Sequence, residues 1–163
     1  DPVTQVVQAE HIMSDSEPTF QIEKIYVKDL SLELPNAPQV FMQAEQPQLE
    51  VQIANASTAI SEGFFEVTVS VTVTARAGES TLFLVEVVQA GIFQVVGVPA
   101  EELDPLLGIG CPTILYPYAR ETVSDMVTRA GFPQVLLSPV SFEAIYAQRT
   151  QQGGADPRIE LAS

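Results

Sequence analysis

Four segments of the chain alternate apolar and polar residues with the period of two that is typical of half-buried β-strands. They span residues 20–34, 48–54, 64–75 and 81–89. The third is the most regular, because its apolar parity is unbroken through Phe65, Val67, Val69, Val71 and Val73. Residues 76–79 carry turn chemistry and therefore predict a hairpin between the last two strands.

The outer segments of this pattern are less regular. In the first segment one parity holds the apolar residues Phe20, Ile22, Tyr26, Leu30, Leu32 and Leu34. After the fourth segment, Gly91 and Gly97 interrupt the alternation and Pro99 ends it. The sequence therefore predicts four strands, the last of which weakens near residue 89.

The apolar spacing then becomes helical over residues 112–130. The stripe predicted to be buried consists of Leu115, Tyr118, Thr122, Val123, Met126, Val127 and Ala130. Gly131 is a plausible end of this helix, and Ser141 is a plausible cap of a second, short helix. Strands followed by helices predict an α+β fold.

A long helix can cover only one face of the predicted sheet. The other face is polar and acidic, with Leu84 among its residues. One helix over four strands leaves apolar surface uncovered, which favours self-association. The segments outside residues 19–150 lack sustained periodicity, and we expect 1–18 to be a flexible leader and 151–163 a flexible tail.

Charge narrows the classes of partner. Acidic residues outnumber basic ones 21 to 7, which disfavours nucleic acid or an anionic membrane surface because both require cationic contacts. No apolar run approaches the roughly 20 residues of a membrane-spanning helix. The single cysteine and the absence of a signal-peptide pattern in residues 1–19 favour a cytoplasmic protein.

Candidate catalytic chemistry is sparse. The one histidine, His11, falls in the expected leader, so no nucleophile has a rigid histidine base. Cys111 has no neighbouring cysteine or histidine and is expected to be a buried small residue. The Gly108-Ile109-Gly110 cluster is predicted to be a loop hinge. The sequence predicts neither an enzyme nor a metal ligand.

The acidic strand residues have two interpretations. Asp29, Glu33, Glu50, Glu66 and Glu86 occupy the polar parity of their strands. They could simply keep a sheet face soluble and its edges unpaired. Alternatively, Leu84 beside Glu86 forms an apolar anchor in an acidic field, which is typical of a protein-docking face.

Three stretches of the chain resemble the SecB family of protein-export chaperones. They are TFQIEKIYVKDLSLELPNAP at 19–38, TLFLVEVVQAGIF at 81–93 and CPTILYPYARETVSDMVTRAGFPQVLLSPVSFEAIY at 111–146. The resemblance covers about residues 19–150. It implies a four-stranded antiparallel sheet with one long helix and a short C-terminal helix, assembled as a dimer of dimers.

The same resemblance implies partners and sites. Unfolded preproteins would be held without ATP and delivered to the SecA motor, whose zinc-containing C-terminal tail is the expected contact. The residues matching the family's motor-binding positions are Asp29, Glu33, Leu84 and Glu86. Zinc would belong to the partner, so the resemblance implies no cofactor or metal in this chain.

Client binding would use apolar grooves on the tetramer. The candidates are Phe41, Leu106, Leu107, Phe132, Leu136, Leu137, Phe142 and Tyr146, and for each the sequence leaves core packing equally open. The opposite parity of the fourth strand, with Val85, Val87 and Gln89, is expected to face the helix layer and to affect assembly.

Two other functions remain open at this point. One is a related chaperone dedicated to a single partner, such as an antitoxin. The other is a carrier that uses the groove for a lipid or another hydrophobic small molecule. The acidic face distinguishes the export chaperone from both, because neither alternative requires a surface that docks on a motor.

Overall fold

The computed structural model describes residues 17–43 and 46–151, together with the strand pairing of residues 159–162. An antiparallel sheet is covered on one side by helices, which confirms the α+β prediction. The strand order is β1-β4-β3-β2-β5. The strands are β1 (Thr19–Glu33), β2 (Gln48–Ser61), β3 (Phe64–Ala77), β4 (Ser80–Val96) and β5 (Ile159–Ala162).

The helices follow β4 and confirm the two that the sequence predicts. They are α1 (Ala100–Pro105), a π-helical turn (Leu106–Gly110), α2 (Cys111–Arg129) and α3 (Phe142–Gln151). A 3₁₀ turn, Gln39–Met42, lies between β1 and β2. Gly131 adopts φ 95° just after α2, a conformation that favours glycine. The Ser141 hydroxyl caps α3 by accepting a hydrogen bond from the Ala144 amide at 3.1 Å.

The core lies between α2 and the central strands β3 and β4. The helix side of β3 is fully buried at Val67, Val69, Val71 and Val73. The opposing residues of α2 recur every fourth position, which places them on one helix face: Leu115, Ala119, Val123 and Val127. The small side chain of Ala119 lets the helix lie close to the sheet. This packing fixes which side of the sheet remains outside.

The predicted stripe of α2 is wrong at Tyr118, which is 50% exposed. Its neighbour Tyr116 is buried instead and donates a hydrogen bond to the Ser138 carbonyl at 2.7 Å. The buried face is therefore rotated toward the segment that joins α2 to α3. Spacing alone could not place this segment, because its contacts are tertiary.

The prediction that Gly91 interrupts the fourth strand is also wrong, since β4 continues to Val96. A side chain at position 91 would place its Cβ only 2.9 Å from Cδ2 of Leu115 on α2. Glycine is therefore required by the close approach of the helix, and the strand pairing is unaffected. Gly91 pairs with Ile25 of β1 in the normal ladder.

Along β1, the set of alternate residues that faces the helix side changes twice. Its register with β4 shifts between Ile22 and Lys24 and again between Val27 and Asp29. Tyr26 consequently pairs with Ala90 and lies on the outer face, so its predicted place on the apolar parity is wrong. Leu30 pairs with Val87 on the helix side, where the sequence places it.

The Gly108-Ile109-Gly110 cluster is not a loop hinge. It belongs to the π-helical turn that joins α1 to α2. The Gly108 carbonyl accepts a hydrogen bond from the Asn55 side chain at 3.3 Å, and a Cβ at Gly108 would lie 2.8 Å from the Tyr146 ring. The glycine thus allows α3 to pack against this turn.

The predicted four-stranded sheet gains a fifth, short strand from the C-terminal segment. Strand β5 pairs with β2, so the sequence interpretation of 151–163 as a tail did not foresee a regular element there. The single alternation Ile159-Glu160-Leu161 is too short to predict a strand from the sequence. The leader, with His11, lies outside the described residues apart from its last two positions.

Candidate docking face and client groove

The four residues expected to bind a motor lie together on the outer face of the sheet. Asp29 and Glu33 belong to β1, and Leu84 and Glu86 belong to the adjacent strand β4. Glu33 pairs directly with Leu84, and Glu86 pairs with Ser31, between the two acidic positions of β1. Paired and diagonal neighbours lie within roughly 5–8 Å across such a ladder. We call these four residues the acidic patch.

The acidic patch is accessible to solvent. Its three carboxylates are exposed and Leu84 is half-buried. A shallow depression of about 180 Å³ adjoins Glu86 and is lined on the outer face by Gln52, Ala54, Ser70 and Thr72. One solvated carboxylate adds little binding energy through a single ion pair. Several together attract a cationic partner over distances up to the Debye length. The patch combines this attraction with one apolar anchor.

Glu66, on the same outer face, is already paired. The Lys28 ammonium contacts its carboxylate at 2.7 Å, and the Tyr26 hydroxyl donates a second hydrogen bond to it. These hydrogen bonds, Lys28 first, lower the pKa of Glu66. Burial and the nearby carboxylate raise the pKa of Tyr26 to about 12. The charge of Glu66 is thus offset, which separates it from the acidic patch.

On the helix side of the sheet lies an apolar cavity of about 100 Å³. Its walls come from β2, from α2 and from the segment that crosses from α2 to α3, which we call the crossing segment (residues 132–141). The lining residues are Leu49, Val51, Ile53, Tyr116, Val135, Leu136, Leu137, Ser138, Pro139 and Val140. A cavity of this size accepts an apolar side chain rather than a drug-sized molecule, which needs about 300–1,000 Å³.

The structure divides the predicted groove residues into three groups. Leu107, Leu137 and Phe142 are buried in the core, although Leu137 also lines the cavity. Leu106, Phe132 and Tyr146 are half-buried. Phe41 and Leu136 are exposed, Leu136 to 75%, and Leu136 lines the cavity. Leu136 and Phe41 thus have the exposure that client contact requires.

A second apolar surface lies where the crossing segment begins. The Phe132 ring stacks on the Phe41 ring at 5.2 Å between centroids and contacts Phe83 at 5.1 Å. Met42, beside Phe41, is 87% exposed. Phe83 is buried, so this aromatic cluster connects the core to the surface. We call Phe41, Met42 and Phe132 the aromatic patch.

Sequence reasoning missed the β2 wall of the cavity and Tyr116. Leu49, Val51 and Ile53 were recognised only as the inward parity of a strand. Alternation identifies that parity, but it does not show that the crossing segment passes over it. Tyr146 contributes elsewhere, because its hydroxyl donates to Asp104 at 2.6 Å. That hydrogen bond raises the pKa of Tyr146.

The expected assembly residues lie inside the protomer. Val85 and Val87 are fully buried on the helix side of β4, and Gln89 is nearly so. The Gln89 side-chain amide donates to the Tyr26 carbonyl at 3.1 Å. These three side chains thus face the helix layer. Any influence on assembly would act through the core of the protomer.

Cys111 is fully buried, as the sequence predicts. Burial raises the pKa of its thiol to about 12, so the reactive thiolate is not formed near neutral pH. Among the described residues, no group of three or more His, Cys, Asp and Glu side chains is arranged to hold a metal ion. None of the described helices has the length and apolarity needed to cross a bilayer.

Comparison with known proteins decides the family. The profile described as "Preprotein translocase subunit SecB" matches residues 13–153. The chain belongs to the SecB family. A protein-export protein SecB of Chromobacterium violaceum is 61% identical over 140 residues, covering 85% of this chain and 93% of the relative. The SecB of Dechloromonas aromatica is 54% identical, covering 90% of this chain and 97% of the relative.

A solved member of the wider SecB-like group has the same fold. It is a SecB-like chaperone of Mycobacterium tuberculosis in complex with a ChAD peptide from the HigA1 antitoxin. It superposes with a TM-score of 0.63 at 21% identity, covering 75% of this chain and 91% of that one. At this identity the similarity establishes the sheet-and-helix architecture and nothing more specific.

Proposed function

We propose that this protein is a cytoplasmic, ATP-independent chaperone that holds unfolded preproteins and delivers them to the SecA motor. The supporting observation is that its two candidate surfaces lie on opposite sides of one sheet. The acidic patch is on the outer face, whereas Val51 and Ile53 of the cavity are on the helix side. A client and a motor could therefore be bound at the same time.

The client site consists of the cavity and the aromatic patch. Both are apolar, and the crossing segment extends from Phe132 of the patch over the cavity. An unfolded segment gains from burying its apolar side chains in such sites and from main-chain hydrogen bonds to strand edges. The small cavity disfavours a small-molecule carrier. A chaperone dedicated to another partner, such as an antitoxin, remains the alternative.

The motor site is the acidic patch. A basic peptide segment such as the zinc-containing C-terminal tail of SecA would meet three exposed carboxylates around Leu84. Rim charges of this kind mainly increase the rate of association, while the apolar anchor supports the bound state. The zinc ion would be held by the partner. The dedicated-chaperone alternative requires no such patch, and this difference favours export.

The working form is proposed to be a homotetramer, a dimer of dimers. Edge strand β1 exposes large apolar residues on its helix-facing side at Phe20, Ile22, Val27 and Leu30. An edge strand with an uncovered apolar face is a site where a second copy can pair and bury surface. Val85 and Val87 would support assembly by holding β4, which pairs with β1.

Charge reversal in the acidic patch tests the motor site. Glu86→Lys should weaken binding to purified SecA at least about tenfold at low salt, because an attraction becomes a repulsion. Glu62→Lys is the matched control, since Glu62 is exposed in the β2–β3 turn at the far end of the sheet. The control should bind like wild type. Binding is measured by titration calorimetry at two salt concentrations.

Two results would reject motor docking on this patch: no binding of SecA by wild type at low salt, or equal binding by Glu86→Lys. Binding should also weaken as salt rises, since the screening length falls to about 8 Å at physiological ionic strength. Holding activity is measured separately, as suppression of aggregation of an unfolded protein without ATP. Glu86→Lys should retain that activity.

A further inference from the structure

The C-terminal strand β5 lies at the wall of the client cavity. It pairs antiparallel with β2, with Leu161 opposite Val51 and Ile159 opposite Ile53. Val51 and Ile53 are two of the three β2 residues that line the cavity. The two large apolar residues of the tail strand are thus paired with two residues of the cavity wall. The tail contacts the site proposed for clients.

The edge that β5 occupies is the one an extended client would use. Among the four long strands, β2 lies at the side of the sheet next to the cavity, and β1 lies at the other side. A client side chain in the cavity would place its backbone beside β2, within reach of main-chain hydrogen bonds. Strand β5 forms its ladder over Glu50–Ile53 of this edge.

The end of α3 lies beside β2. The Arg149 guanidinium donates a hydrogen bond to the Asn55 side chain, which is buried on β2 two residues beyond Ile53. Helix α3 ends at Gln151, and residues 152–158 connect it to β5.

We propose that Ile159–Ala162 is an internal competitor that occupies the client's place on β2 and leaves when an unfolded segment binds. This inference rests on the proposed holding function and adds to it a means by which the protein regulates its affinity for clients. The tail sequence alternates Ile159, Glu160 and Leu161, which is the pattern of an extended client segment with two apolar side chains. A strand of four residues forms few hydrogen bonds, so a longer client can displace it.

The test uses the full chain with Ile159→Asp and Leu161→Asp together. Removing the competitor should tighten binding of an unfolded, reduced and alkylated protein by about threefold to thirtyfold, because the apparent affinity scales with the fraction of open sites. Glu160→Gln, between the two positions, is the control and should bind like wild type. Those amides of Glu50–Ile53 that point toward β5 rather than β3 should also exchange faster in the double variant without client.

A reversible lock gives a second measurement. Val51→Cys with Leu161→Cys places two cysteines at directly opposed positions, about 4.5–5.5 Å apart between Cα atoms, which suits a disulfide. The oxidised form should bind the same client more weakly, and reduction should restore binding. Each form serves as the control for the other. Native Cys111 is buried and should not interfere.

The outcomes are distinguishable. If folded wild type and both variants bind no unfolded client, the proposed holding function is wrong and the tail inference falls with it. If all forms bind clients equally, or the double variant binds more weakly, holding stands and the competitor is rejected. Tighter binding by the double variant together with weaker binding by the oxidised lock would support it.

Discussion

At the scale of single residues, the outer face of the sheet carries acidic groups in two different states. Lys28 offsets the charge of Glu66 and Tyr26 donates a hydrogen bond to it, whereas the carboxylates of Asp29, Glu33 and Glu86 are exposed. A position on the polar parity of a strand is therefore not enough to assign docking. The partners of each carboxylate decide which charges a motor could meet.

The lowered pKa of Glu66 predicts a specific pH dependence of stability. The folded protein holds a proton on Glu66 less tightly than the unfolded chain does, so acidification favours unfolding at this site. The contribution is present above the ordinary carboxyl pKa of 4.5 and is lost as pH falls through the folded value. For a partly exposed pair we expect about 0.2–1 kcal/mol.

Urea denaturation at several pH values checks this expectation. Between about pH 6 and pH 3, wild type should lose more stability than Glu66→Gln, which has no carboxylate to protonate. Glu62→Gln removes an exposed carboxylate in a turn and should follow wild type. An identical pH profile for wild type and Glu66→Gln would contradict the role assigned to the Lys28 and Tyr26 contacts.

At the scale of elements, the contact between α2 and β4 depends on a glycine, which has no side chain at the point of closest approach. Gly91 lies in the middle of β4, and its Cα faces Leu115 of the helix and the Phe93 ring. The Lys24 carbonyl would lie 3.2 Å from an added Cβ, so backbone as well as side chains would be crowded. The helix that forms one wall of the apolar cavity is therefore positioned partly by a glycine.

Gly91→Ala should destabilise the protein by about 1–3 kcal/mol, because the added methyl overpacks the helix–sheet contact. The free energy of unfolding in urea measures the effect. Gly110→Ala is the matched control, since Gly110 has helical φ −64° and its added Cβ would meet only the end of the Leu106 side chain. That change should stay within about 1 kcal/mol of wild type.

A second substitution can show whether Gly91→Ala loses stability through crowding in the folded protein. Replacing glycine also changes the conformational entropy of the unfolded chain, and the two effects must be separated. Combining Gly91→Ala with Leu115→Ala should cost less than the sum of the single changes, because the second substitution removes one of the two side-chain atoms that would lie 2.9 Å from the new methyl. Additive losses would argue that α2 does not approach β4 as closely as described.

At the scale of the whole molecule, the helices of the protomer leave an apolar surface of the sheet exposed. The helix-facing side of β1 carries Ile22 at 47% exposure and Val27 at 45%, at the end of the sheet opposite the client cavity. Association through this surface would leave the acidic patch and the cavity accessible. This arrangement fits the proposed tetramer with a separate site for each partner.

Ile22→Lys should dissociate the proposed tetramer into smaller species, because a charge would be buried in the proposed interface. Multi-angle light scattering measures the mass, and circular dichroism checks the fold. Gln21→Lys introduces the same charge at the neighbouring residue, which pairs with Gln94 on the outer face and should leave the mass unchanged. A retained tetramer in Ile22→Lys would rule out this surface. Val85 is unsuitable because its burial makes a charge disrupt the protomer itself.

The sequence by itself determined the strands, the long helix and the short capped helix. It also determined that the outer face of the sheet is negatively charged. These follow from local periodicity, capping chemistry and charge, which need no knowledge of distant residues. Its motifs also indicated the family, and with it Asp29, Glu33, Leu84 and Glu86 as one set. Alternation placed each on the polar side of its strand.

Only the tertiary structure decided how these elements meet. It placed Tyr26 on the outer face through two register shifts, carried β4 through Gly91, and separated buried Phe142 from exposed Leu136. It also joined β2, Tyr116 and the crossing segment into one cavity and placed β5 at its wall. Each of these results depends on contacts between residues far apart in the chain, where close packing rather than local pattern selects the arrangement.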